Sequence, residues 1–171
     1  IVEKNAYTLD DIIENVNNNI TQKGRSCVVV LDRLQDPGNL GTIVRTGEGA
    51  GISGIIMSSG CADIYNPKVI RSTMGSIFRV PFTVVSDLSE AIETLKENSI
   101  TTYAAHLKGE EYNKGVFEKN VALLIGNEAK GLSDEVSGKA DRLIKIPMEG
   151  KVESLNAAIA TAILMYQCRD V

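Results

Sequence analysis

A turn between an apolar strand and a helix carries the residues of this chain that are best suited to chemistry. The segment Asp36–Thr46 contains a carboxamide, Asn39, and a cation, Arg45. The run Cys27–Leu31 before it is continuously apolar, which predicts a buried parallel strand. Ligands of α/β proteins bind at the carboxyl ends of such strands. We therefore expect Arg45 to point into a cleft, whereas Asn39 could either face the same cleft or cap the helix.

Two later segments also combine glycine turns with polar side chains. In residues 123–133 an apolar run ends at Gly126, and Glu128 follows in the turn. In residues 146–158 the tripeptide Ser154-Leu155-Asn156 precedes an apolar helical pattern. Each has a plainer interpretation, because Gly126 could simply permit a turn, Glu128 could be a solvated carboxylate and Ser154 could be a helix cap.

The elements that position these segments alternate between strands and helices. Apolar runs predict further strands at 54–57, 80–85, 100–105, 121–125 and 143–146. Helical patterns follow Asn66-Pro67, cover 87–98 and cover 154–167. This alternation predicts one α/β domain with a largely parallel sheet flanked by helices. Three helices have predicted core faces: Leu40, Ile43, Val44 and Gly47; Val69, Ile70, Met74, Ile77 and Phe78; Leu155, Ala158, Ile159, Ala162, Ile163 and Tyr166.

The amino-terminal residues 1–25 form a leader in this interpretation and residues 26–171 the domain. Thr8–Asp11 predicts a capped short helix, and the polar run Asn15–Gly24 predicts a loop. The chain opens on Ile1, so we expect a processed chain or the catalytic piece of a longer protein.

Composition narrows the function classes. The 171 residues are 43% apolar, without an apolar run of about 20 residues or a secretory signal, which predicts a cytoplasmic globular domain. Cys27, Cys61 and Cys168 lack Cys-x-x-Cys spacing, and His106 is the single histidine. The sequence therefore predicts reduced thiols, no metal site and no Ser-His-Asp catalysis.

The charge distribution is uneven. The chain has a net charge of −4, but residues 21–85 hold seven basic and four acidic side chains, a difference of +3 that leaves −7 for the remainder. A basic face around Asn39 and Arg45 is one interpretation, and a solvated surface is the other.

The three segments, in this order and spacing, resemble the three motifs of the SpoU (TrmH-like) branch of the SPOUT superfamily of RNA methyltransferases. The resemblance covers residues 26–168. It implies an S-adenosylmethionine-dependent enzyme that methylates a ribose 2′-hydroxyl of tRNA or rRNA without a metal. It also implies a SPOUT α/β knot, with a deep carboxyl-terminal trefoil knot that forms the donor pocket, and a homodimer that joins through the knotted region.

The resemblance also assigns roles to individual residues. Arg45 would act on the ribose hydroxyl, more plausibly by gripping a phosphate and stabilising an alkoxide than as a base, because its pKa is above about 12. Its expected partners in the active site are Asn39, Glu128, Ser154 and Asn156, with Glu128 orienting Arg45. The expected donor-binding residues are Gly126, Ile146, Met148, Leu155, Ala105, His106 and Leu107. Arg33, Arg45, Lys68 and Arg71 are the expected RNA contacts.

Two other functions are considered. The first is an RNA-binding or donor-binding module of the same fold without independent catalysis, since a separate amino-terminal RNA-binding domain of many relatives is not part of this sequence. The second is a phosphate-binding nucleotide enzyme. Gly126–Gly131 has P-loop glycine spacing, but Leu132-Ser133 stands where a P-loop needs Lys followed by Ser or Thr.

Overall fold

The computed structural model describes residues 7–115 and 117–169 as one six-stranded sheet with helices on both faces. Every neighbouring pair of strands is parallel, in the order β3-β2-β1-β5-β4-β6, which confirms the predicted α/β architecture. In chain order the elements are α1 (Leu9–Lys23), β1 (Ser26–Leu31), α2 (Pro37–Ala50), β2 (Gly54–Ser58), α3 (Pro67–Thr73), a 3-10 turn (Ser76–Phe78), β3 (Phe82–Val85), α4 (Leu88–Glu97), β4 (Thr101–Glu111), β5 (Asn120–Ile125), α5 (Asp134–Lys139), β6 (Arg142–Lys145) and α6 (Ala157–Arg169).

Strand β1 divides the core into two layers. Val29 and Leu31 pack with α2, α3 and α6 on one face of the sheet. Val28 and Val30 face the other way and pack with α1, α4 and α5. Successive side chains of a strand point to opposite faces, so a central strand that is covered on both faces must be apolar throughout. The sheet therefore holds the ends of β1 and β5 side by side.

Helix α1 continues through the polar run that was predicted to be a loop. It starts at a capping box between Thr8 and Asp11 and ends only at Gly24, which adopts a left-handed conformation. Ile12 and Val16 are buried against the sheet, and the polar residues of the helix lie on its solvent side. The loop prediction was wrong because one short apolar face is enough to hold a polar helix on a sheet. Residues 1–6 of the leader lie outside the described residues.

The predicted core face of α3 was largely wrong. Val69 and Ile77 are buried, but Ile70, Met74 and Phe78 are 38%, 69% and 57% exposed. The helix ends at Thr73 because Met74 takes a left-handed conformation, so the helical spacing does not continue to Phe78. An exposed apolar surface is the result.

Helix α6 starts three residues later than predicted, at Ala157. Its buried residues are Ala158, Thr161, Leu164, Met165 and Cys168. Ile159 and Tyr166 were predicted to be buried but are 51% and 42% exposed. A helix that is apolar nearly all round has no unique inward face in the sequence, so the neighbouring elements select it.

Strand β4 is longer than predicted and contains an irregularity beside β6. The pairing register shifts between Ala105 and Glu110, so that residues 106–109 leave the regular ladder. A side chain at Gly109 would overlap the backbone of Leu143 and Ile144, which explains the glycine at this point. The irregularity turns His106 and Leu107 toward the carboxyl end of the sheet.

The trefoil knot stays a prediction, because strand order alone does not trace the passage of the chain through a loop. Among the described residues no helix combines the length and the apolar character needed to cross a membrane. The same residues contain no group of three or more His, Cys, Asp or Glu side chains that could hold a metal ion.

Candidate active site

A chain of side-chain hydrogen bonds joins the three predicted segments. Asn39 donates from Nδ2 to Oε1 of Glu128 at 3.1 Å. Asn156 donates from Nδ2 to Oδ1 of Asn39 at 2.9 Å. Asn39 therefore uses both ends of its carboxamide to link α2 with the loop after β5 and with the start of α6. Residues that are 89 and 117 positions apart in the chain meet at this point.

Asn39 and Ser154 do not cap helices α2 and α6, although the sequence allowed that interpretation of both residues. Asp36 caps α2, because its Oδ1 accepts the backbone N–H of Asn39 at 2.8 Å. Asn156 caps α6 by accepting the backbone N–H groups of Ala158 and Ile159. The Asn39 side chain is thus free to bond across the site, whereas Asn156 both caps a helix and reaches Asn39.

Glu128 is held as a carboxylate acceptor. Its two oxygens accept the backbone N–H groups of Gln35 at 3.2 Å and Asp36 at 2.9 Å, in addition to the amide of Asn39. Burial by itself raises the pKa of Glu128, but the hydrogen bonds from Asp36, its own backbone, Asn39 and Gln35 together outweigh burial and lower the pKa. The ionised form is therefore the form that the site stabilises.

The turn after β5 is braced by residues that the sequence did not single out. Asn127 donates from Nδ2 to the carbonyl of Arg33 and accepts the backbone N–H groups of Ala129 and Lys130. The buried carboxylate of Asp32 accepts both the backbone N–H and the hydroxyl of Ser133 at 2.9 Å. An acidic residue directly after an apolar strand was the available signal for Asp32.

A cavity of about 490 Å³ opens beside this network, at the carboxyl ends of β4, β5 and β6. Its walls contain all seven residues that were expected to bind the donor and also Glu128 and Ser154. The expected ones are Ala105, His106, Leu107, Gly126, Ile146, Met148 and Leu155. Wall residues that the sequence did not indicate include Lys108, Lys145, Glu153, Ala157, Ala160 and Leu164.

Gly126 allows the cavity to form. A Cβ atom at this position would overlap the backbone of Gly131 and Leu132, and Asn127 and Gly131 exchange backbone hydrogen bonds of 3.0 and 2.8 Å. The loop therefore folds back onto the end of β5 with no room for a side chain. The close approach exposes backbone groups at the cavity wall, which suits recognition of a polar ring by the main chain.

Residues 26–166 match the model of the SpoU rRNA Methylase family, which is most of the chain. The chain belongs to this family. Among its relatives, the Bacillus subtilis (strain 168) 23S rRNA (guanosine(2553)-2'-O)-methyltransferase RlmP is 38% identical over 143 residues, which cover 83% of this chain and 57% of the relative. An uncharacterized tRNA/rRNA methyltransferase of Borreliella burgdorferi is 32% identical over 167 residues, which cover 97% of this chain and 73% of the relative.

Solved structures of SpoU relatives share the fold. The AdoMet-bound rRNA methyltransferase of Sinorhizobium meliloti superposes with a TM-score of 0.80 at 39% identity, over 85% of this chain and 56% of that one. The SpoU methyltransferase AviRb of Streptomyces viridochromogenes, in complex with AdoMet, gives a TM-score of 0.78 at 33% identity, over 84% and 56%. The chain spans 57% of RlmP, a little more than half of that relative.

The four basic residues that were expected to contact RNA lie outside the cavity wall of this SpoU domain. Arg45 is exposed on α2 and takes part in no hydrogen bond or ion pair with any described residue. The expectation that Glu128 orients Arg45 was wrong for this chain, because the two side chains share no hydrogen bond or ion pair and Glu128 instead accepts from Asn39 and from backbone N–H groups. Asn39 makes no hydrogen bond with Arg45 either, and its amide bonds to Glu128 and Asn156 instead.

The basic face is smaller than the charge count suggests. Arg33 bonds to the buried Asp32 through Nε at 3.0 Å, although its side chain remains 44% exposed. Arg79 pairs with Glu48, whose pKa falls to about 2, chiefly through this hydrogen bond and then through one from Ser76. Lys68 and Arg71 are exposed on α3 and have no ion pair with a described residue.

Proposed function

We propose that this chain is an S-adenosylmethionine-dependent RNA methyltransferase that modifies a ribose 2′-hydroxyl of tRNA or rRNA. The supporting observation is the hydrogen-bonded chain Glu128–Asn39–Asn156, which joins all three family motifs and reaches the cavity wall through Glu128. Structural residues would not need to converge from three distant segments onto the rim of one cavity. The names of the SpoU relatives, which are rRNA and tRNA methyltransferases, support the same reaction class.

The cavity fits the donor. Its volume of about 490 Å³ lies within the roughly 300–1,000 Å³ of small-molecule sites, and its walls combine apolar side chains with polar and charged ones at strand ends. Ile146 and Leu155 would contact the adenine, and the close turn at Gly126 would offer main-chain donors and acceptors. S-adenosylmethionine supplies a methyl group on a positively charged sulfur. The task of the chain is then to hold the hydroxyl in line with that methyl group and to stabilise its ionisation.

Arg45 would bind the RNA side of the reaction. Its guanidinium stays protonated at neutral pH and is exposed without an intramolecular partner among the described residues. It can therefore grip a phosphate oxygen and the adjacent 2′-hydroxyl and stabilise the alkoxide as it develops. The proton would leave through a phosphate oxygen or another acceptor, because a guanidinium cannot accept it.

Asn39, Glu128 and Asn156 would act mainly as positioning residues. The carboxylate of Glu128 fixes the amide orientation of Asn39, and Asn39 in turn holds Asn156 at the start of α6. Ser154 is an exposed residue of the cavity wall, and its hydroxyl would face the reacting groups. Lys68, Arg71 and the exposed part of Arg33 would add phosphate contacts that orient the RNA.

A homodimer is part of the proposal. Ile159 and Tyr166 on α6 are 51% and 42% exposed, and the segment that follows α3 adds the exposed Met74 and Phe78. Both helices pack on α2, so these side chains belong to one layer of the molecule. Apolar side chains that stay exposed in a group commonly mark an interface. Light scattering on Ile159→Glu should give a monomer, whereas the control Val84→Glu, on edge strand β3, should keep the dimer.

The domain division and the location are also proposals. The family match starts at residue 26, which supports the division of the chain into a leader of residues 1–25 and a catalytic domain of residues 26–171. Residues 170 and 171 lie outside the described part of that domain. A cytoplasmic location is consistent with the tRNA and rRNA substrates named for the relatives.

Methylation with labelled donor tests the reaction directly. The purified chain is incubated with methyl-labelled S-adenosylmethionine and total RNA, and the RNA is then digested to nucleosides. Label should appear in a 2′-O-methyl nucleoside. In the undigested RNA, the phosphodiester that follows the labelled nucleotide should resist alkali, because the 2′-hydroxyl needed for cleavage is blocked. Arg45→Ala should abolish incorporation and still bind adenosylhomocysteine, whereas Arg142→Ala, at the start of β6 and outside the cavity wall, should keep the activity. Label in a base would exclude the ribose as the target, and binding without incorporation would favour the non-catalytic module.

A further inference from the structure

A second cavity, of about 240 Å³, lies at the opposite end of the sheet from the donor cavity. Three basic side chains line it, Lys23 from α1, Arg25 before β1 and Arg169 from α6, and we call it the cationic pocket. The buried thiols of Cys27 and Cys168 also line it. No aspartate or glutamate of the described residues is part of its wall.

The three cations are not neutralised by neighbouring side chains. The ion pairs among the described residues use Arg33, Arg79, Lys96, Lys114 and Lys139. Lys23 and Arg25 take part in no hydrogen bond, ion pair or ring contact with a described residue, and Arg169 only approaches the ring of Tyr166 at 5.8 Å. In a chain with a net charge of −4, three cations around one cavity without a carboxylate need an explanation.

Helix ends account for part of this arrangement. Helices α1, α2 and α6 all end at the pocket, at Lys23, Ala50 and Arg169. Each carboxyl-terminal helix end carries about half a negative charge, so the three ends offset roughly half of the three positive charges. The remaining excess is positive and faces an open cavity. Because no carboxylate of the described residues lines the cavity, this excess favours the binding of an external anion.

The charges and the size of the pocket suit a phosphate group. Two guanidinium groups match the oxygens of a phosphate, and a lysine adds a point charge. The cavity is smaller than the roughly 300–1,000 Å³ of sites that enclose a whole small molecule, so it suits a single phosphate and part of its sugar. Strand β1 runs from the pocket at Cys27 to the active-site end at Leu31, so the two sites are on the order of 15 Å apart.

We propose that the cationic pocket binds a backbone phosphate of the RNA substrate, away from the nucleotide that is methylated. This inference rests on the proposed function for its RNA, but the site itself is defined by the charges. The cationic pocket would give this acidic chain a contact with RNA that is separate from the surface around Arg45. Leu164 lines the donor cavity and Met165 the cationic pocket, so α6 connects the two sites.

The test compares Lys23→Gln/Arg25→Gln with wild type and with Lys119→Gln. Lys119 is an exposed lysine near the start of β1 that does not line the pocket, so the control removes a neighbouring charge. Affinity for a fluorescent tRNA is measured by anisotropy from 50 to 300 mM salt. The double variant should bind roughly tenfold more weakly, and the slope of log K against log salt should fall by about 0.7–0.9, as expected for one phosphate. The control should keep both values.

Two further measurements separate the possible sources of failure. Inorganic phosphate should raise the Tm of the wild type relative to chloride at equal ionic strength, and should not raise that of the double variant. Adenosylhomocysteine should bind every variant equally, which shows that the fold and the donor cavity are intact.

Wild-type tRNA affinity and slope in the double variant overturn the proposal, even if methyl transfer is established. Phosphate protection without a change in tRNA binding also overturns it and assigns the pocket to a free phosphate compound. A chain that binds tRNA through this pocket but does not methylate it would leave the inference standing and remove the proposed function.

Discussion

Replacing Asn39 with Asp tests the hydrogen-bonded network with almost no change in shape. Nδ2 of Asn39 donates to Oε1 of Glu128 at 3.1 Å, and the variant would put a carboxylate oxygen in that place. Losing a hydrogen bond to a charged acceptor costs about 1.5 kcal/mol. Repulsion between two partly exposed carboxylates at this separation adds about 1–2 kcal/mol. The favourable position of an acid in the first turn of α2 returns about 0.5 kcal/mol.

The expected destabilisation of Asn39→Asp is therefore about 2–3 kcal/mol at pH 7, obtained by combining those terms. Urea unfolding followed by circular dichroism measures it, because the chain has no Trp for fluorescence. Two adjacent carboxylates raise each other's pKa, so the folded variant takes up a proton as the pH falls toward 4 and its deficit shrinks. The network also borders the donor cavity, so adenosylhomocysteine should bind more weakly as well.

A second substitution and a matched control complete the cycle. Glu128→Gln in the Asn39→Asp background places an amide donor against the new carboxylate, so the double variant should be within about 1 kcal/mol of Glu128→Gln alone. Asn66→Asp is the control, because Asn66 only accepts from the backbone N–H of Lys68 and a carboxylate can do the same. Wild-type stability of Asn39→Asp, or a double variant that loses the sum of the two single effects, would refute the assigned hydrogen bond.

Three further predictions concern the cavity wall, the carboxylate and a buried thiol. Gly126→Ala should weaken adenosylhomocysteine binding at least tenfold by calorimetry, because its Cβ would displace Gly131 and Leu132; unchanged affinity would mean that the turn is not part of the donor site. The pKa of Glu128 is lowered in the folded state. At pH values above the pKa of an unfolded Glu, the wild type should therefore be more stable than Glu128→Gln, and it should lose this advantage as the pH falls through the lowered pKa. A constant difference in urea unfolding across this pH range would contradict the lowered pKa. The Cys168 pKa is raised by its hydrogen bond with Cys27 and by burial, so iodoacetamide at pH 8 should label Cys168 only after unfolding, as read by mass spectrometry; rapid labelling of the native protein would argue against both.

The fold class and the strand positions could be predicted because they depend on short-range patterns. β1, β2 and β5 are continuous apolar runs, and the structure places them side by side in the middle of the sheet. The faces of α3 and α6 could not be predicted in the same way. Met74 and Ile159 have the spacing of core residues, but their burial depends on where the helix ends and on which neighbour covers it.

The residues of the site divide along the same line. The motifs led to Asn39, Glu128 and Asn156, and the structure joins them in one network. Which atom bonds to which was not predictable, since Asp36 rather than Asn39 caps α2 and Glu128 holds Asn39 rather than Arg45. Those outcomes depend on competition among groups that come close only after the chain has folded.

The amino-acid order alone determined that this chain forms alternating parallel strands and helices and carries three family motifs at strand ends, because apolar periodicity and turn chemistry act over a few residues. Tertiary structure decided which carboxamide meets which carboxylate, which apolar side chains stay outside, and that Lys23, Arg25 and Arg169 share one cavity. These are contacts across large sequence separations, and they exist only when parallel strands bring distant segments to the same edge of the sheet.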